Sequence, residues 1–154
     1  MFLDHDTFRT VVDATPLVSI DLVVENSRGE ILLGDRVNRP AKGKWFVPGG
    51  RVRKGETLDQ AFARLSREEL GTTFSRNDST FLGLYEHHYN DSVFGDAPNT
   101  HYVVLAHRLL VRDDQLDLPL AQHEQFKWWR FEPALQSTAV HGYSKAYIQA
   151  LLGE

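Results

Sequence analysis

Acidic residues and glycines cluster in one short stretch of the sequence, residues 49–71, which reads GGRVRKGETLDQAFARLSREELG. Glu68 and Glu69 follow Leu65 by three and four residues, so the three side chains share one broad face of a predicted helix. Carboxylate oxygens suit a hard cation such as Mg²⁺, and a Gly-Gly turn lets backbone carbonyl oxygens approach such an ion. The stretch predicts a metal site, although two adjacent acids alone are more typical of a solvated helix end.

Four residues outside the helix could activate water, neutralise phosphate or contact a substrate. His123 lies in a polar segment, and the ordinary pKa of histidine, about 6.5, suits proton removal near neutral pH. Arg36 follows a predicted strand and Arg51 follows the Gly-Gly turn, and guanidinium groups suit phosphate oxygens. Asp21 interrupts an apolar strand, where an acid is costly unless it is paired or faces a site. Each residue alone is also typical of an ordinary surface or structural contact.

Hydrophobic patterning predicts the elements that must position these residues. Helices are predicted at 4–14, 57–70 and about 143–152, and strands at 17–25, 30–36, 80–89, 101–111 and 126–131, with a short strand in WFVPGG. Thr57 and Gln60 predict a capping box, and Gly71 suits the residue just past a helix end. This order predicts an α+β fold, an α/β/α sandwich in which one mixed sheet lies between helices.

The composition limits the class of protein. A chain of 154 residues without a linker predicts a single domain, residues 1–154, with an N-terminal helical arm at about residues 1–15. The absence of cysteine excludes disulfides and thiolate metal sites and fits a reducing compartment. The net charge of −4 argues against a general nucleic-acid-binding protein, and no apolar run approaches the roughly 20 residues that span a bilayer. Since no signal peptide is recognisable either, we expect a cytoplasmic protein with no nucleic-acid and no membrane partner.

The spacing of six residues closely resembles the signature box of the Nudix hydrolases: Gly50, Glu56, Arg64, Glu68, Glu69 and Gly71. That family joins a strand, a loop and a helix to hold Mg²⁺ against a diphosphate. The general box has an acid where this chain has Leu65, and Ser66 and Thr72 replace aliphatic residues. The resemblance predicts the Nudix fold and a Mg²⁺-dependent hydrolase in which Mn²⁺ can replace Mg²⁺.

With these differences from the general box, the sequence resembles one branch of that family, the enzymes that hydrolyse GDP-mannose. The segments PLVSIDLVVENSRGEILLGDRVNRPAKGKWFVPGGRV and AQHEQFKWW carry this resemblance, which covers the chain from Met1 to about Ala146. In most Nudix hydrolases water attacks phosphorus, whereas in this branch it attacks C1 of the sugar, releases GDP and inverts the anomeric carbon. The absence of an acid at Leu65 is therefore expected of this branch and does not indicate an inactive enzyme.

The resemblance also implies roles for individual residues. The implied metal ligands are a backbone oxygen of the turn Gly49-Gly50, with Glu69 and Gln122, while Glu68 either holds a second ion or pairs with Arg64. The implied catalytic residues are His123 as the base, with Arg36, Arg51 and Arg64. The implied substrate contacts are Phe2, Leu3, Phe8, Asp21, Arg36, His87 and Tyr102. The N-terminal arm is implied to hold the guanine nucleotide by reaching across a homodimer.

Two other interpretations stay open. A conventional pyrophosphatase that attacks phosphorus of a nucleoside diphosphate derivative or a triphosphate is favoured by Glu68, while Leu65 and the pair Gln122-His123 oppose it. A catalytically silent nucleotide-binding domain would be expected to lack ligand positions, yet Glu69, Gln122 and His123 are all present. GDP-mannose, GDP-glucose and GDP-fucose are all compatible with these residues as substrates.

Overall fold

The structure, a computed structural model, describes residues 2–119 and 123–153, with His123 and Glu124 as backbone only. The elements, in chain order, are α1 His5–Ala14, β1 Leu17–Asn26, β2 Glu30–Arg36, β3 Trp45–Phe46, β4 Gly49–Arg51, α2 Leu58–Leu70, β5 Thr80–Tyr89, β6 Thr100–Val111, β7 His123–Arg130, α3 Phe131–Gln136 and α4 Gly142–Leu151. The predicted α+β class is confirmed, because a mixed sheet lies between helices.

The sheet has the strand order β3-β2-β1-β6-β5, with β4 paired to β1 and β7 paired to β2. β1 and β6 run parallel, from the pair Leu17 and Tyr102 to the pair Asn26 and Val111, and the other pairs are antiparallel. β1 lies at the centre, and all of its residues except Val18 are buried. This explains why β1 is a nearly continuous apolar run in the sequence.

Side chains of β1 alternate between two cores, one on each face of the sheet. Leu22 and Val24 pack with Phe62 and Leu65 of α2 on one face. Val23 packs on the other face with the fully buried Tyr147 and Ile148 of α4. Phe62 and Leu65 therefore lie on the buried face of α2.

The ends of α2 follow the predicted signals. The Gln60 amide donates to the Thr57 hydroxyl over 3.1 Å, and the Gln60 side-chain carbonyl accepts from the Thr57 amide over 2.9 Å. This is the predicted capping box, and such a cap stabilises a helix by about 1 kcal/mol. Gly71 ends the helix in the left-handed conformation, with φ at 72°.

Gly71 supports a prediction about stability, because a side chain there meets the backbone of a distant segment. A Cβ at Gly71 would lie 1.7 Å from the carbonyl oxygen of Asp117, whose amide donates to Leu70 over 2.9 Å. We expect Gly71→Ala to lower the free energy of unfolding by about 3 kcal/mol or more, through left-handed strain plus this collision. Urea denaturation measures the loss.

Gly55 provides the matched control for this prediction. Its φ is also positive, at 89°, but a Cβ there would have no atom within 4 Å. We therefore expect Gly55→Ala to cost about 1 kcal/mol, from backbone strain alone. Equal losses in the two variants would show that the contact with Asp117 does not constrain position 71.

Three parts of the chain differ from the sequence predictions. The single short strand predicted in WFVPGG is two strands, β3 and β4. β7 begins at His123 rather than at 126, and residues Phe131–Gln136, whose first residue was assigned to that strand, form α3. The helix was missed because it is short and contains Pro133, although proline is tolerated in the first turn of a helix. Among the described residues, no helix is both long and apolar enough to cross a membrane.

Candidate active site

A cavity of about 310 Å³ opens beside the turn between β3 and α2. The predicted site residues that line it are Phe8, Asp21, Arg36, Gly49, Gly50, Arg51, His87 and Tyr102. Phe2, Leu3, Arg64, Glu68 and Glu69, which were also predicted, are not in its lining. The structure therefore brings together in one cavity residues from the N-terminal helix and from five strands.

Strand register accounts for this convergence. β4 pairs with β1 so that Gly49 lies opposite Asp21 and Arg51 lies opposite Ser19. On the neighbouring strands, His87 of β5 lies opposite Tyr102 of β6.

Gly49 and Gly50, the predicted Gly-Gly turn, lie at the start of strand β4, and neither position has room for a side chain. A Cβ at Gly49 would lie 2.4 Å from Asp21 Oδ1 and 2.6 Å from the Ile20 carbonyl oxygen. A Cβ at Gly50 would lie 2.5 Å from Leu65 Cδ2. Leu65 is only 3% exposed, so its side chain fills the space directly against the turn. Leu65, which replaces the acid of the general box, is therefore a packing residue at the edge of the proposed metal site.

Two buried acids lie next to this turn. Burial raises the pKa of Glu69 to about 7, while the positive charge of Arg36 and a hydrogen bond from the Gly49 amide oppose the rise. Burial likewise raises the pKa of Asp21 to about 7, against a hydrogen bond from Tyr147 and the charge of Arg36. A raised carboxyl pKa means that burial disfavours the charged form of these acids, and a cation bound beside them would favour that form.

The residues present fit a hard cation held largely by neutral oxygens. Glu69 and the carbonyl oxygens of the Gly49-Gly50 turn are oxygen donors of the kind that Mg²⁺ prefers. In the side chains of residues 2–119 and 125–153, no three His, Cys, Asp or Glu residues form a metal-binding group. The predicted ligand Gln122 lies outside the described residues.

Arg64 stabilises the loop that follows the turn through hydrogen bonds. Its guanidinium donates to both carboxylate oxygens of Glu56, over 2.7 and 2.9 Å, and to the Arg51 carbonyl oxygen over 2.8 Å. Chiefly because of this pairing, the pKa of Glu56 is lowered to about 2. Arg64 also donates to Glu68 over 3.0 Å, one of the two roles that the sequence left open for Glu68. Arg64 thereby fixes the backbone of Arg51, which lines the cavity.

The N-terminal arm lies against the cavity of its own chain. The Arg51 guanidinium stacks over the Phe8 ring at 4.9 Å, and that of Arg53 stacks over the Phe2 ring at 4.4 Å. Phe94 contacts the Phe8 ring at 5.7 Å. The predicted nucleotide-binding residues Phe2 and Phe8 are thus each paired with an arginine next to the turn.

Two residues that sequence reasoning missed, Tyr143 and Tyr147, lie behind the lining of the cavity and contact residues of that lining. His87 stacks in parallel on Tyr143, with ring centroids 4.0 Å apart, and Tyr147 donates to Asp21 over 2.6 Å. Both tyrosines lie on α4, far from the signature box, and their spacing of four residues is typical of a buried helix face. The buried acid Asp21 was the available signal, since it requires a donor from elsewhere in the chain.

The backbone of His123 lies on the strand next to Arg36, because β7 begins at His123 and the two residues are paired in register. Arg36 lines the cavity, and its Nε donates to the Pro40 carbonyl oxygen over 2.9 Å. The role of His123 as the base stays a prediction.

Comparison with known proteins identifies the family. Residues 15–150 match the NUDIX domain. This chain belongs to the Nudix family. Nudix hydrolases use divalent cations such as Mg²⁺ and act on nucleoside diphosphate derivatives, so the cavity with its glycine turn and Glu69 is the candidate active site of a Nudix hydrolase.

Individual relatives differ in how much of the chain they match. The low-salt glycan biosynthesis protein Agl8 of Haloferax volcanii is 40% identical over 149 residues, which cover 97% of this chain and 90% of that protein. An ADP-ribose pyrophosphatase of Methanocaldococcus jannaschii is 43% identical over 70 residues, 46% of this chain and 40% of that protein. The crystal structure of a MutT Nudix hydrolase from Burkholderia pseudomallei superposes with a TM-score of 0.71 at 22% identity, covering 89% of this chain and 98% of that one. The structural likeness confirms the Nudix fold.

Proposed function

We propose that this Nudix hydrolase converts a GDP-sugar, foremost GDP-mannose and also GDP-glucose, to GDP and free sugar. Water attacks C1 of the sugar, and the anomeric carbon is inverted. The observation that carries the proposal is the packing of Leu65 against Gly50, which leaves Glu69 as the acid of α2 that is buried beside the turn. A metal ion with a single carboxylate ligand from α2 would keep charge with which to neutralise a diphosphate leaving group.

The residues of the site have distinct roles in this reaction. Glu69, Gln122 and a carbonyl oxygen of the Gly49-Gly50 turn would hold Mg²⁺, which when bound neutralises charge on the diphosphate. Arg36 and Arg51 spread the charge that develops on GDP as it leaves.

The proposed reaction does not require a general acid. The oxygen of water forms a bond to C1 and gives its proton to His123, while the bond between C1 and the phosphate oxygen breaks and its electron pair leaves with GDP. An ordinary glycosidase needs a carboxylic acid to protonate its leaving group, whereas a diphosphate oxygen leaves readily once its charge is neutralised.

The relatives support the substrate class to different degrees. The Haloferax volcanii relative, which matches almost the whole chain, is named for glycan biosynthesis, in which nucleotide sugars are the usual glycosyl donors. The shorter match to an ADP-ribose pyrophosphatase favours the second candidate, attack at phosphorus. Against that candidate, Glu68 pairs with Arg64, and the side chain of Glu68 is 45% exposed.

We also propose that the protein acts as a cytoplasmic homodimer that binds no nucleic acid and no membrane. The absence of cysteine and the net charge of −4 support this, as does the family resemblance of the N-terminal arm. Phe8 lies in the cavity of its own chain. Phe2 is 86% exposed despite its contact with Arg53, so in a dimer its exposed side would be available to a second copy.

Product identification tests the proposed function. With GDP-mannose and Mg²⁺, we expect GDP and mannose in equal amounts, separated by ion-exchange chromatography. GMP and mannose 1-phosphate would instead establish a pyrophosphatase. ADP-ribose is the matched substrate for that alternative, and we expect its turnover to be far slower than that of GDP-mannose.

A further inference from the structure

Three polar side chains from three elements meet at the inner end of the cavity. The Tyr147 hydroxyl of α4 donates to Asp21 Oδ2 of β1 over 2.6 Å, and its oxygen lies 3.3 Å from His87 Nε2 of β5. Tyr147 is fully buried, while Asp21 and His87 line the cavity. Tyr147 does not line the cavity, so its hydroxyl acts on a bound substrate through these two hydrogen-bonded residues.

The hydrogen bonds determine where the protons of this cluster lie. A tyrosine hydroxyl carries one proton, and when Asp21 is ionised the short contact assigns that proton to the hydrogen bond with the Asp21 carboxylate. The contact with His87 then requires that His87 Nε2 carries a proton and that the Tyr147 oxygen accepts it. His87 is neutral, because burial lowers its pKa to about 4. Its other ring nitrogen, Nδ1, is consequently a hydrogen-bond acceptor.

Tyr143 holds the His87 ring in this orientation. The two rings are parallel within 3°. The Tyr143 hydroxyl is itself fixed, since it donates to the His88 carbonyl oxygen and accepts from the His88 amide, each over 2.9 Å. The ring of His87 is therefore held by stacking, and its tautomer is set by Tyr147.

We propose that Tyr147 is a positioning residue that holds Asp21 and His87 as a pair of hydrogen-bond acceptors for hydroxyl groups of the hexose. The identity of the hexose rests on the proposed function. Two acceptors suit a sugar because each hydroxyl has a proton to donate. Without the Tyr147 hydroxyl, Asp21 Oδ2 loses its buried partner and His87 is free to adopt either tautomer.

The tautomer of His87 tests this proposal without any substrate. In ¹⁵N–¹H correlation spectra of the wild-type protein, recorded above the pKa of Asp21, which burial raises to about 7, and with His87 assigned by comparison with His87→Gln, we expect the tautomer protonated at Nε2. In Tyr147→Phe, which keeps the ring and removes only the hydroxyl, we expect a mixture of tautomers or the Nδ1-protonated form. An Nδ1-protonated His87 in the wild type, or an unchanged tautomer in the variant, would overturn the proposal.

Kinetics provide the second readout. We expect Tyr147→Phe to lower kcat/KM for GDP-mannose by roughly 10- to 100-fold, the usual effect of losing a hydrogen bond to a charged group. The inhibition constant of GDP, which has no hexose, should change by less than about twofold.

Tyr85→Phe is the matched control, because the Tyr85 ring meets the Tyr147 ring edge-on at 4.8 Å and its hydroxyl bonds to neither Asp21 nor His87. Equal losses of kcat/KM in both variants, or a parallel loss of GDP affinity, would assign Tyr147 a packing role and overturn the proposal. If the wild type releases GMP, the proposed function fails, and the tautomer measurement alone decides the role of Tyr147.

Discussion

Exchanging Glu69 for Gln is expected to reduce metal-dependent kcat by more than about 10²-fold. The substitution keeps the shape of the side chain but removes the buried negative charge beside the Gly49-Gly50 turn, where Glu69 is 5% exposed. Residues that merely support metal ligands typically contribute 10- to 100-fold, so a direct ligand should contribute at least the upper end of that range. Steady-state turnover of GDP-mannose over a Mg²⁺ titration measures the loss.

Glu68 is the neighbouring control. Its carboxylate pairs with Arg64 over 3.0 Å, and its side chain is 45% exposed. A partly exposed ion pair of this kind contributes no more than about 1 kcal/mol, so Glu68→Gln should lower kcat less than about fivefold. Equal losses in the two variants would indicate that both acids bind metal, as in the box of an ordinary pyrophosphatase.

His123→Ala is expected to lower kcat by roughly 10² to 10⁴-fold, the usual range for a lost general base. The affinity for Mg²⁺ should be almost unchanged, since His123 is not among the predicted ligands. Added imidazole should restore part of the activity by accepting the proton in place of the missing side chain. These measurements require only turnover rates and a Mg²⁺ titration of each protein.

His88→Ala serves as the control for this variant, because His88 is an exposed histidine that stacks on His101 at 4.3 Å and is not in the lining of the cavity. It should retain full activity. Unimpaired turnover in His123→Ala would remove His123 from the mechanism. His87 would then be the remaining histidine in the lining of the cavity.

The parts of the fold that follow from local sequence signals were predictable. Thr57 and Gln60 predict the start of α2 because the capping box involves neighbours in sequence, and Gly71 predicts its end because the left-handed conformation favours glycine. β1 and β2 follow from apolar runs separated by a turn. The Gly-Gly turn and Glu69 were predicted from the spacing of the box, and the structure places them together.

The contacts that depend on tertiary packing were not predictable. Tyr147 lies 126 residues from its partner Asp21, and no local pattern distinguishes it from any other buried aromatic residue of a helix. Arg64 was expected to act on the substrate. In the structure its guanidinium pairs with Glu68, a local contact that the sequence had left open, and it also contacts Glu56 and the backbone of Arg51. Such pairings are set by how α2 and α4 pack on the two faces of the sheet, which periodicity alone does not specify.

The central claim, attack at carbon, has the most direct test in the fate of the oxygen of water. When GDP-mannose is hydrolysed in ¹⁸O-labelled water, we expect the label on C1 of mannose and none in GDP, as measured by mass spectrometry. Proton NMR during the first minutes should show the β anomer of mannose before mutarotation, because attack occurs opposite the leaving diphosphate. Label on phosphorus, with GMP and mannose 1-phosphate as products, would contradict the account and would leave the packing of Leu65 against Gly50 without a role in the choice of bond.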